Sequence, residues 1–128
     1  MEYQKESQLH LAVCQYIKQT YPDVIFTSES SGLRVSIHQA KILKRLRSGD
    51  GLPDIIILQP KGEYKGLCLE LKTVKATPYL KSGKLSKRTH IQKQAEVLQR
   101  LLKLGYYADF TVGFKDTVWK IDNYMNIT

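Results

Sequence analysis

Apolar positions along the chain follow two periods, one helical and one of strands. Leu9, Val13, Tyr16 and Ile17 recur at helical spacing and predict a helix over residues 6–20. Tyr21-Pro22 ends it, because the residue before proline avoids the α region. Residues 24–29 (VIFTSE) are β-branched and aromatic and predict a strand. Ser30-Ser31-Gly32 reads as a turn. A helix over 34–47 follows, with Val35, Ile42 and Leu46 toward a core and Lys41, Lys44, Arg45 and Arg47 outward. The breakers Gly49-Asp50-Gly51-Leu52-Pro53 make a loop. Residues 54–58 (DIIIL) predict a buried strand, 60–66 a turn, and 66–72 (GLCLELK) the next strand. Residues 73–89 carry no clear period. Ile91, Ala95, Leu98, Leu101 and Leu102 line one side of a helix over 90–104, with Thr89 as N-cap, Gln92 as its capping-box partner and Gly105 as the stop. A strand over 107–114 and a short helix over 116–126 complete the order αβαββαβα. That order predicts an α/β fold with a central mixed β-sheet flanked by helices.

Composition narrows the setting. A chain of 128 residues fits one compact domain, taken as residues 1–128. No run of about 18 apolar residues exists, so no membrane span is expected. The first 20 residues carry Glu2 and Glu6 among alternating polar and apolar positions and do not read as a signal peptide. Cys14 and Cys68 sit in apolar surroundings without CxxC spacing, which suits reduced thiols in a cytoplasmic protein better than a zinc site or a disulfide framework. The net charge of +8 is concentrated: residues 31–103 hold 16 Lys and Arg against 5 Asp and Glu. A basic field so placed attracts polyphosphates, making nucleic acid the first partner to consider, although a merely solubilising surface has the same charge.

The chemistry concentrates on the two strands around the 59–66 turn. If they form an antiparallel hairpin centred near Gly62, Asp54 and Glu70 are each eight residues from the centre and face one another. Strand alternation puts Glu70 and Lys72 on one face and Leu69 and Leu71 on the other, so two carboxylates and an ammonium converge at one sheet edge. Two close carboxylates repel unless a cation intervenes. Oxygen donors with no His or Cys nearby in the motif favour Mg²⁺, with Mn²⁺ as a substitute, over Zn²⁺. Such an ion neutralises a phosphodiester oxygen and acidifies bound water, while Lys72 orients that water or stabilises the phosphorane charge. The alternative is a surface ion pair of Glu70 and Lys72 beside an Asp54 that merely starts a strand. Glu6 shares a helix face with Leu9, His10 and Val13 and can reach the metal through water; it is otherwise a solvated residue favoured by the helix dipole. His10 reads as a packed or capping histidine. Gln94, between Ile91 and Leu98, either faces inward toward water or Lys72 or borders the apolar stripe. Lys75, Lys81, Lys84, Lys87 and Arg88 lie in an acid-free segment that reads as a mobile arm closing on a phosphate backbone, or as a disordered linker.

The run Arg34…Gly49-Asp50-Gly51-Leu52-Pro53-Asp54, then Gly66-Leu67-Cys68-Leu69-Glu70-Leu71-Lys72, then Gln94 eleven residues before Gly105, resembles the VRR-NUC family of the PD-(D/E)xK nuclease superfamily. The resemblance spans Glu6 to about residue 126. It implies a restriction-endonuclease-like core, metal ligation by Asp54, Glu70 and the Leu71 carbonyl, and Lys72 as the catalytic lysine. Glu6 and Gln94 match the family's first-helix acid and downstream-helix glutamine. Ser30-Ser31-Gly32-Leu33 departs from the Asn-containing turn expected before Arg34, a residue whose implied role is a phosphate contact. Stand-alone members of this size resemble phage or bacterial homodimers that cut branched DNA, including Holliday junctions, leaving 5′-phosphate and 3′-hydroxyl ends. The resemblance therefore implies a Mg²⁺-dependent, structure-specific endodeoxyribonuclease. Three rivals stand beside it: a nicking or restriction-like nuclease on ordinary duplex, a module that docks on DNA or a protein without cutting, and, more weakly, an RNA-directed enzyme.

Overall fold

The computed structural model describes residues 2–29, 36–48 and 51–128. The expected turn at Ser30-Ser31-Gly32, the residues Arg34 and Val35, and Gly49-Asp50 lie outside them. The elements are α1 (Glu6–Thr20), β1 (Phe26–Ser28), α2 (Ile37–Arg45), β2 (Ile55–Ile57), β3 (Leu67–Lys72), α3 (Thr89–Lys103), β4 (Tyr107–Val112) and α4 (Gly113–Met125), with a short 3-10 turn at Val74–Ala76. The strands form one mixed sheet in the order β1-β2-β3-β4, antiparallel for the first two pairings and parallel for the last. The expected order and sheet type are both present.

Alternation along the strands splits the core into two layers. Ile55, Ile57, Leu67, Leu69 and Leu71 pack with Leu9, Val13 and Ile17 of α1 and Ile121 and Tyr124 of α4. On the other face Cys68, Ala108 and Phe110 pack with Ile91 and Leu98 of α3. The two cysteines are free, Cys68 within the second layer and Cys14 against the first. Among the described residues no helix is long and apolar enough to cross a membrane.

Four expectations are corrected. Helix α2 buries none of its residues: Ile42 and Leu46 are exposed, while Arg47 beyond its end is partly buried and its Nη2 lies 2.7 Å from Glu29 Oε2. Among the described residues no element buries these apolar positions, so helical spacing alone assigned them a core they do not reach. Residues 73–88 are neither patternless nor a free arm. They form a hydrogen-bonded loop, in which Tyr79 and Leu85 make an antiparallel bridge, Ser86 N–H donates to the Pro78 carbonyl (2.7 Å), and Thr73 and Ser86 are buried. Thr89 is the first residue of α3 rather than its cap. No side chain caps α3; Ser86 ties its start to the loop instead, its carbonyl accepting from the Gln92 side chain (2.7 Å) and its hydroxyl from Arg88 N–H (3.3 Å). Strand β4 ends at Val112 and α4 starts at once, because Gly113 (φ 85°) makes the corner that other residues adopt at a cost. The side chain of Asp116 accepts from Val112 N–H (2.9 Å), and that of Glu2 accepts from Phe114 N–H (3.2 Å).

Helix α1 is fastened to α4 by polar contacts as well as by the core. The Asp122 carboxylate accepts from the hydroxyls of Tyr16 (2.7 Å) and Tyr21 (2.7 Å). Hydrogen bonds to a charged acceptor each contribute more than neutral ones, discounted here because the three groups are only partly buried. Replacing Asp122 by Ala is expected to cost about 1–2 kcal/mol, read as a lower denaturant midpoint at unchanged slope.

Candidate active site

The β2–β3 register sets the site. Ile55 pairs with Leu69, Ile56 with Cys68 and Ile57 with Leu67, and continuing the ladder by one residue brings Asp54 opposite Glu70. The hairpin tip itself is a Lys61–Tyr64 bridge that includes Gly62 (φ 56°). Tip and ladder differ by one residue in register, and the irregularity is absorbed between them. Because β2 and β3 are the interior strands, the carboxylates sit at strand ends inside the sheet, not at its lateral edge.

Asp54 is 2% exposed and Glu70 8%. Their carboxyls are close enough to share a hydrogen bond. Asp54 Oδ2 accepts from Leu71 N–H at 2.8 Å, and its backbone carbonyl accepts from Glu29 N–H at 2.8 Å. Continued once more, the register sets Leu71 opposite Pro53, which has no N–H for the ladder. A strand residue directs its N–H and C=O to the same neighbour, so the Leu71 carbonyl faces the Asp54 side and Pro53 offers it no donor. Glu70 Oε1 accepts from Gln94 Nε2 at 3.2 Å, while the buried Gln94 Oε1 has no hydrogen-bond partner. Gln94 therefore turns inward as the sequence allows, but its partner is Glu70 rather than Lys72. Burial first, then the Asp54 charge, pushes the Glu70 carboxyl from its ordinary 4.5 up to about 9, and the Lys72 ammonium offsets this only in part.

Helix α1 brings Glu6 and His10 to the same place. His10 is 6% exposed. Its Nε2 lies 3.7 Å from Asp54 Oδ2 and 3.8 Å from Glu6 Oε1, and it too is buried without a hydrogen-bond partner. His10 is packed, as its sequence reading has it; helix spacing shows Glu6 and His10 on one face, but not that the face ends over Asp54.

A cleft of about 730 Å³ opens over the carboxylates, with Pro53, Asp54 and Glu70 on its floor and Arg47, His90, Lys93 and Arg100 among its walls. Of these, Arg47 reads from sequence as an outward residue of the second helix, while His90, Lys93 and Arg100 escaped sequence reasoning, since nothing in their spacing marks them apart from other solvated charges. Of the basic residues singled out from sequence, Lys41, Lys44 and Arg45 are exposed on α2, and Lys75, Lys81, Lys84, Lys87 and Arg88 are exposed along the loop before α3. Arg34 lies outside the described residues.

The donor set fits a divalent cation. Asp54 and Glu70 set two buried carboxyls opposite one another, the register puts the Leu71 carbonyl on the Asp54 side of β3, and hard oxygen donors of this kind suit Mg²⁺ or Mn²⁺.

A solved structure described as a VRR_NUC domain protein superposes with a TM-score of 0.64 at 22% identity, covering 99% of this chain and 93% of that one. No family model and no curated protein matches the chain. The chain thus has the α/β, restriction-endonuclease-like fold of that VRR_NUC domain protein.

Because Glu70 keeps its proton in the folded, metal-free chain and gives it up when unfolded, stability falls as pH rises from about 4.5 to about 9. Glu70→Gln removes that loss. With chelator at pH 8, the variant is expected to be more stable than the native chain by on the order of 1–3 kcal/mol, and at pH 4 the difference should vanish. Denaturant melts at the two pH values check this.

Proposed function

We propose that the chain is a Mg²⁺-dependent nuclease that hydrolyses phosphodiester bonds in DNA, with Asp54, Glu70 and the Leu71 carbonyl as metal ligands. The observation that carries this reading is the buried Asp54–Glu70 pair on the floor of a cleft with basic walls. A buried like-charge pair destabilises a fold and persists where a bound cation makes it favourable. When bound, the ion would neutralise a phosphodiester oxygen and make its water more acidic.

The chain's own residues supply the rest. Gln94 fixes the Glu70 carboxylate by its 3.2 Å hydrogen bond, and Leu71 N–H fixes Asp54. Lys72 follows Glu70 by two residues on the same strand face and carries the charge that opposes the pair's repulsion. It is placed to orient the attacking water and to stabilise charge on the phosphorane. Arg47, Lys93 and Arg100 line the approach, and the lysines of the loop before α3 extend the basic surface beyond the cleft. The reduced state of Cys14 and Cys68 agrees with action in the cytoplasm. Branched DNA, such as a four-way junction, is the proposed substrate. Resolving it takes two symmetric cuts while the described residues hold one buried carboxylate pair, so the acting species is a C2 homodimer.

Purified protein incubated with labelled four-way junction and linear duplex of the same sequence, with Mg²⁺ or chelator, tests the proposal. Cleavage should require Mg²⁺ and favour the junction, and equal cutting of linear duplex would replace the substrate reading with the restriction-like one. Glu70→Ala and Lys72→Ala should each lower cleavage by about 10²–10³-fold with DNA binding retained, whereas unchanged cleavage would remove the mechanism. Light scattering of a monomer that still cuts both strands would refute the dimer. Lys81→Ala, Lys84→Ala and Lys87→Ala should each weaken DNA binding without sequence preference and lower the salt-dependence slope by about 1.

A further inference from the structure

The stretch between Glu70 and Glu96 holds no acid, and its middle is a hairpin with a solvent-facing tip. Three backbone bonds close it: Ser86 N–H donates to the Pro78 carbonyl (2.7 Å), Leu80 N–H to the Lys84 carbonyl (2.7 Å) and Gly83 N–H to the Leu80 carbonyl (2.9 Å). A two-stranded hairpin is marginal in water on its own, and this one is fastened at its root. Pro78 and Ser86 are buried, Leu85 packs on the layer of Cys68 and Phe110, and the Tyr79 ring meets Phe110 edge-on with centroids 6.3 Å apart. Tyr79 and Leu85 are bridge partners and so share a face. Leu80, the next residue, is turned to the other face and is 46% exposed. The tip residues Lys81, Ser82, Gly83 and Lys84 are all exposed, and a Cβ at Gly83 would meet nothing within 4 Å.

A single exposed leucine is ordinary on a protein surface. This one stands at the end of a hairpin held from below, beside lysines, in a stretch of chain without carboxylates. The carboxylates that act on Tyr79, those of Asp109 and Asp116, are both held by Lys120, at 3.2 and 3.5 Å. An apolar tip in a basic setting suits a polyanion that also offers apolar surface, and DNA does so where its stack is broken. The place fits as well. Phe110 is the β4 partner of Glu70 in the parallel ladder and shares its face of the sheet, so the hairpin is rooted one strand away from the carboxylate pair.

We propose that the 78–86 hairpin is a fixed wedge whose Leu80 packs against the open face of a base pair at a DNA branch point, while Lys81 and Lys84 hold the flanking phosphates. The wedge deepens the nuclease reading and rests on its DNA substrate, though not on its metal. In continuous duplex each base pair is covered by the next, so admitting Leu80 costs the stacking of a whole step. At a branch the stack is already interrupted, and the leucine leaves water without that cost. One side chain thus favours branched over linear DNA, whereas the lysines bind both alike.

The test uses the full chain with chelator present, so that binding is read without cutting. With the photoreactive p-benzoylphenylalanine in place of Leu80, irradiation should crosslink the chain to the nucleotides flanking the branch of a four-way junction. Crosslinks spread along the arms, or made to a second copy of the chain, overturn the proposal. Leu80→Ser, at an exposed position that threatens folding little, should weaken junction binding by about 10-fold and binding to linear duplex by less than about 2-fold. Leu80→Met should restore the preference. Equal losses on the two DNAs, or none on the junction, in a Leu80→Ser chain of native circular dichroism also overturn it. Branch crosslinks in a chain that cuts no DNA with Mg²⁺ would sustain the wedge and remove the nuclease reading. Junction cleavage that keeps its full preference in Leu80→Ser would do the reverse, so the two failures are distinguishable.

Discussion

The pairing of β2 with β3 is the constraint on which everything else depends. One register places Ile55, Ile57, Leu67, Leu69 and Leu71 against α1 and α4, and the same register sets Asp54 opposite Glu70. A slip of one residue on β3 would turn Glu70 and Lys72 into that apolar layer and expose the leucines to the α3 side. Burying a carboxylate and an ammonium among Leu9, Val13 and Ile17 would cost more than any local gain. The hydrophobic demand for a correct register is therefore also what assembles the carboxyl pair. Pro53 adds to this at the end of the ladder. It ends the exchange of backbone hydrogen bonds at Leu71, whose N–H turns to Asp54.

The second requirement is that α1 arrives over the end of β2. Its core face does part of this, through Leu9, Val13 and Ile17. Direction along the sheet needs something less forgiving than apolar contact. It comes from Asp122, which gathers two tyrosine hydroxyls, and from Glu2, which closes on the first turn of α4 near Gly113. These anchors lie at opposite ends of α1, so the helix is pinned at both. Glu6 and His10 are thereby carried to Asp54.

Legibility from sequence follows the range of the interactions. Period-2 and helical patterns are local, and they give the element order, the sheet type and the two faces of β3. The Asp54–Glu70 pairing is also legible, because a hairpin's register depends on symmetry about a short turn. The tip is off by a residue, yet the ladder is right, since the apolar faces and not the turn fix it. Helix α2 shows the opposite case. Ile42 and Leu46 have core spacing, but whether a stripe is buried depends on what lies across from it, and no described element covers these two. The tie of Ser86 to the start of α3 was hidden because the loop that carries Ser86 is built from one turn and one bridge, with no period to read. What His10 faces was hidden for a similar reason. Asp54 is 44 positions away in the chain, and helical spacing contains no information about what a helix end approaches.

The protonation pattern around the pair argues that these side chains are arranged for a positive charge. Gln94 Nε2 and Leu71 N–H are both donors, so Glu70 Oε1 and Asp54 Oδ2 are both addressed as acceptors. Donors of this kind favour the ionised form of each carboxyl. Burial and mutual repulsion favour the protonated form, and at Glu70 they prevail in the metal-free chain. Reversing the Gln94 amide would let its oxygen accept from a protonated Glu70, but the buried end of the amide would then hold an unsatisfied NH₂ in place of one unsatisfied oxygen. Neither orientation satisfies the metal-free site. Hydrogen bonding and desolvation thus pull the same carboxyl in opposite directions, and rearranging protons does not reconcile them. A cation does, because it compensates the charge that the donors favour and removes the repulsion that burial magnifies.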